Sequence, residues 1–67
     1  MTQDCRVQLD ALQRKLDQAN ATIEAAKQIA QKDPAPGNFA EVAAAAADVA
    51  AATADLKNGQ QECGVAP

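Results

Sequence analysis

The chain contains no histidine, no tryptophan and no tyrosine, and phenylalanine occurs once, at Phe39. Without histidine, the side chain that most often moves protons near neutral pH and one of the usual zinc donors are both missing. The single phenylalanine, Phe39, is expected at a seam position of the second half, so no aromatic platform remains on which nucleic-acid bases stack. Positive charge is short as well: six lysines and arginines stand against nine acids, giving a net charge of −3. Such a balance repels phosphate backbones and anionic lipid surfaces. No apolar run approaches the ~20 residues that cross a bilayer. Thr2, Thr22 and Thr53 have no activating base, and the carboxylates recur in regular columns rather than gathering in a pocket. These absences lead us to expect no enzymatic activity, cofactor, metal, nucleic-acid partner, small-molecule substrate or direct membrane insertion by this segment.

Two cysteines, Cys5 and Cys63, lie near opposite ends of the 67 residues. In so small a chain this spacing points to a disulfide formed in an oxidising compartment, hence to a secreted or periplasmic setting. The first residues, Met1, Thr2, Gln3 and Asp4, do not read as a signal peptide. Export would then rely on a leader or anchor outside this stretch, or on another route. A redox pair is the sharper alternative, but Arg6 is the only cation beside either cysteine and no CxxC spacing is present.

The stretch from Phe39 to Gly64 repeats a seven-residue unit: FAEVAAA, AADVAAA, TADLKNG, QQECG. Glu41, Asp48, Asp55 and Glu62 fall in one column, and Val42, Val49, Leu56 and Cys63 in the next. Seven residues are nearly two turns of α-helix, so each column is a stripe on one face. The first half carries a matching seam, Cys5, Leu9, Leu12, Leu16, Ala19, Ile23, Ala26 and Ala30, in alternating steps of four and three. Ile29 lies beside that seam and is expected to widen it near the turn, whereas Val7 points away.

Thr2 is positioned to cap a first helix spanning about 3–32, with Asp4 against the positive end of its dipole. Pro34 disfavours a helical Asp33, and the segment 33–37, with two prolines and a glycine, is a short connection suited to antiparallel neighbours. Asn38 reads as an N-cap, with Glu41 completing a capping box, so the second helix is expected over about 38–62. Ten of the fifteen residues from Ala40 to Ala54 are alanine, the strongest helix former. Asn58-Gly59 resembles a stop, yet the seam continues to Cys63. From Cys5 to Gln31 is about 39 Å of helix and from Asn38 to Cys63 about 38 Å, so a helix running through Gly59 brings the cysteines level. The residues 64–67 then form a frayed tail.

The expected fold is therefore all-α: one domain over 1–67, a two-helix antiparallel coiled-coil hairpin closed by a disulfide. In its register, paired residue numbers add up to about 68, setting Leu12 by Leu56, Ala19 by Val49 and Ala26 by Val42. The outer face of the second helix, Ala43, Ala44, Ala47, Ala50, Ala51 and Ala54, is an apolar strip unpaired by the first helix. A smooth strip of small side chains permits close helix approach, which points to a protein-binding surface for a partner or a second copy, the commonest self-associated form being a four-helix bundle. Alanine chosen only for helix propensity is the blander account of the same residues.

The helix from Arg6 to Gln31, bracketed by Cys5 and Cys63, loosely resembles the periplasmic part of phage inner-membrane spanins. The resemblance implies a polar coiled coil with cysteines, belonging to a membrane-anchored structural protein that acts in disrupting the host envelope. It provides the alternative to a free-standing binding module.

Overall fold

A computed structural model describes residues 3–64, and within them two helices account for nearly the whole chain. The first, α1, spans Gln3–Lys32 and the second, α2, spans Pro36–Glu62. They lie antiparallel in a rod measuring 47 × 15 × 14 Å. The expected cap at Thr2 and the tail beyond Gly64 fall outside the described residues.

The turn differs from the sequence expectation in a definite way. Helix α2 begins at Pro36, two residues before Asn38, and its N-cap is Ala35 in an extended conformation. Proline fixes the backbone angle that the first helical position requires, and its missing N–H is one the helix would leave unpaired there. The Ala35 carbonyl accepts from the Asn38 and Phe39 amides. Asn38 is thus already inside the helix, and its side-chain Nδ2 donates to the Asp33 carbonyl at 2.7 Å instead of capping. The capping box expected with Glu41 does not form; Asn38 ties the end of α1 to the start of α2.

The α1 seam lies where its spacing puts it: all eight members from Cys5 to Ala30 are half-buried or buried, while the residues between them are exposed. The seam of α2 runs through Asn38, Val42, Ala45, Val49, Ala52, Leu56, Gly59 and Cys63. Phe39, expected on that seam, sits one residue off it and is 54% exposed. Ile29 is likewise 50% exposed, so it does not widen the apolar contact as expected, and Val7 points outward at 62%.

Cys5 and Cys63 stand at disulfide distance, with Cα atoms 5.8 Å apart. Helix α2 runs unbroken through Gly59, and the two cysteines arrive level in the register that the seam also takes. The same register brings Gly59 against Leu9 and Leu12. It also sets Leu16 level with Ala52 and Ile23 with Ala45, while Ala19 and Ala26 on α1 face Val49 and Val42. Each of these layers matches a large side chain with a small one. The buried core is accordingly made of Ala26, Ala30, Ala45 and Ala52, with the buried glycine Gly59, and no large side chain is fully buried among the described residues.

Gly59 thus has a packing role and is not merely tolerated in the helix. A Cβ there would lie 2.7 Å from Leu12 Cδ1 and 3.4 Å from Leu9 Cδ2. Gly59→Ala meets only the mobile end of a half-buried leucine, and alanine's helix propensity offsets that crowding, so the stability measured by chemical denaturation should move by less than about 1 kcal/mol. Gly59→Leu has no such room and should destabilise the hairpin by ~1–3 kcal/mol in the same measurement. A Gly59→Leu variant that keeps the wild-type midpoint would show that the helices do not approach closely here.

Candidate interaction surface

The two helices differ in what they turn outward. On α1 most side chains away from the seam are polar, Asp10, Arg14, Asp17, Glu24 and Gln28 among them, and the apolar exceptions such as Val7, Ala11 and Ala21 are scattered. On α2 the corresponding face is alanine, and Ala43, Ala44, Ala47, Ala50, Ala51 and Ala54 are all exposed, as the heptad spacing places them. A helix that is apolar around its circumference is normally covered on more than one side. Here α2 buries only Ala45, Ala52 and Gly59.

One edge of the alanine strip is acidic. Glu41, Asp48, Asp55 and Glu62 are exposed along it, and the sole cation of α2 is Lys57. Residues seven apart stand ~10.5 Å apart, too far to share one metal ion. No group of three or more potential metal ligands occurs among the described residues. The facing edge of α1 presents Lys15, Thr22 and Ile29. Lys15 Nζ meets Asp55 Oδ2 at 3.2 Å, an ion pair that crosses between the helices. Thr22 and Ile29, by contrast, offer Asp48 and Glu41 no charge.

Between these edges the surface is grooved. An open groove of about 360 Å³ is lined by Thr22, Ala25, Ala26, Ile29, Glu41, Ala44, Ala45 and Asp48. It shares Thr22 and Asp48 with a second groove of about 280 Å³ that continues along Lys15, Gln18, Ala19, Ala51 and Ala52. The two form one furrow on the acidic side of the seam. On the other side, near the turn, a groove of about 380 Å³ is lined by Lys27, Ala30, Gln31, Pro34, Phe39 and Val42. Lys27 there is also 3.5 Å from Glu24 of its own helix.

The threonine hydroxyls are engaged locally: Thr22 donates to the Gln18 carbonyl and Thr53 to the Val49 carbonyl. Such bonds within a helix satisfy the hydroxyl without activating it. No helix among the described residues is long and apolar enough to cross a membrane. Heptad spacing locates the alanine strip but not the furrow, nor the place of Ile29 in its wall. The signal lies in the register, because numbers adding to about 70 pair Lys15 with Asp55, Thr22 with Asp48 and Ile29 with Glu41.

No family model matches the chain, and neither a curated protein nor a solved structure matches it.

The Lys15–Asp55 pair has side chains 62% and 47% exposed, so solvent screens it. A double-mutant cycle with Lys15→Ala and Asp55→Ala should give a coupling of ~0.2–1 kcal/mol that falls as salt is raised. A coupling several times larger would mean that this pair, rather than the seam, fixes the register.

Proposed function

We propose that this chain is a non-enzymatic protein-protein interaction module of an exported, oxidising setting, docking helix-on-helix through the alanine face of α2 to regulate or assemble a partner or a second copy. One observation carries this reading: from Ala40 to Ala54, α2 is apolar on every side except its acidic edge and Thr53, yet a single helix covers only one stripe of it. Small side chains at Ala43, Ala47, Ala50 and Ala54 would let a further helix approach closely. The Cys5–Cys63 pair supports the oxidising compartment, because thiols at that spacing are kept reduced in the cytosol. Pairing of two hairpins through the alanine faces would give a four-helix bundle.

The rod shape also suits a fragment of a membrane-anchored coiled coil of the spanin-like kind. Against that reading, Cys5 and Cys63 pair within one chain, which leaves neither sulfur to cross-link a neighbouring chain.

The double substitution Ala47→Glu and Ala51→Glu tests the docking face. Both sites are exposed, so helix content by circular dichroism should be unchanged, whereas association measured as absolute mass over a concentration series should weaken at least about tenfold, as expected for charges forced into an apolar contact. Association that survives the substitution would place the contact elsewhere.

A further inference from the structure

The proposed docking reading leaves the partner open, and the furrow beside the alanine strip narrows it. The furrow lies between two antiparallel helices, the position a third helix takes when it packs against a hairpin. Its floor is the buried Ala26, Ala45 and Ala52, and its walls are the exposed Ala25, Ile29 and Ala44. Small floor residues bring the two backbones close and leave the furrow shallow. Ile29, half exposed, is the one large apolar side chain in its wall, and nothing within the described residues covers its outer surface. From Lys15 to Ile29 the furrow runs about 21 Å along α1, close to four helical turns.

Charge then selects the occupant. Along the acidic edge, Asp55 is answered by Lys15 from across the furrow. At the two succeeding positions the same geometry presents Thr22 to Asp48 and Ile29 to Glu41, so two exposed carboxylates ~10.5 Å apart border an apolar wall without a facing cation. The other polar furrow-side residues of α1 do not compensate, because Lys15 is already paired with Asp55 and Gln18 and Thr22 are neutral. A second copy is disfavoured as occupant: its α2 would bring acids against acids, its α1 intersperses Arg14 and Lys27 with Asp10, Asp17 and Glu24, and the chain as a whole is at −3. Resting on the docking reading, we propose that the furrow receives a cationic amphipathic helix of another protein, whose aliphatic face packs on Ile29, Ala25 and Ala44. Its lysine or arginine residues, spaced by two turns, meet Glu41 and Asp48. This makes the hairpin two-thirds of a three-helix assembly completed by an oppositely charged partner.

The probe is a synthetic helical peptide of about 18 residues, long enough for the furrow, with leucine and alanine on one face and lysine along one edge. A control peptide carries glutamate at the lysine positions. Titration of the fluorescently labelled peptides with the oxidised full chain should give tighter binding of the lysine peptide by about fivefold or more. That binding should weaken about fivefold with Glu41→Gln plus Asp48→Asn, and also with rising salt. Asp10→Asn plus Asp17→Asn, on the outward face of α1, should change it less than twofold if the furrow and not general acidity is responsible. Equal binding of both peptides, or equal loss with the two pairs of substitutions, overturns the cationic partner. If equal binding is nonetheless lost with Ala44→Gln plus Ala51→Gln, docking on the α2 face survives that result. Failure of both peptides to bind overturns the furrow as a receptor for a foreign helix, whereas the docking reading itself stands or falls with the Ala47→Glu plus Ala51→Glu association measurement.

Discussion

The register between the two helices is the constraint on which everything else in this molecule depends. It is set by the matching of large side chains with small ones in most layers of the seam: Leu9 and Leu12 over Gly59, Leu16 by Ala52, Ile23 by Ala45, then Val49 and Val42 over Ala19 and Ala26, with Leu12 by Leu56 the exception. A shift of one helical turn would set leucine against leucine and valine along much of the rod and separate the cysteines. The staple and the seam therefore specify the same alignment, and agreement between independent features is what distinguishes a specified structure from a merely permitted one. The grooves follow from this register as well, since it decides which flanking residues face one another.

How much of this can be read from the chain itself depends on contrast. In α1 the leucines stand out against polar neighbours, and every seam position is legible from Cys5 to Ala30. In α2 the column of valines and Leu56 is legible for the same reason. Its companion column, Ala45, Ala52 and Gly59, is hidden because alanines surround much of it, and periodicity carries no signal where every position is alike. Asn38 misleads for a different reason. An asparagine after a glycine and before an apolar residue fits the capping pattern, but Pro36 outranks it by fixing the first helical residue. The expectation for Phe39 fails with it, since the seam position belongs to Asn38.

The exposed alanine face is legible by subtraction, as what the seam leaves over. The furrow is not, because it is a property of two helices together. Ile29 is unremarkable on α1 alone and Glu41 on α2 alone; only their juxtaposition makes an apolar wall with an uncompensated acidic rim. The two helices thus contribute differently. Alanine gives α2 its helicity with little help from packing, while α1, with fewer alanines and a more polar exterior, owes its position to the leucine seam.

A core built of alanine and glycine has a thermal consequence. The heat-capacity change of unfolding scales with the apolar surface that folding hides, at ~12–15 cal/mol/K per residue for ordinary domains. Among the described residues of this rod, only Ala26, Ala30, Ala45 and Ala52 are buried hydrophobics, and the leucines, Val42, Val49 and Ile23 remain partly in contact with water even when folded. Its value per residue should fall below that range, which flattens the curve of stability against temperature. Such a hairpin would lose less of its stability on cooling than a protein with a leucine-filled interior, and would approach its melting point by a shallow slope rather than a steep one.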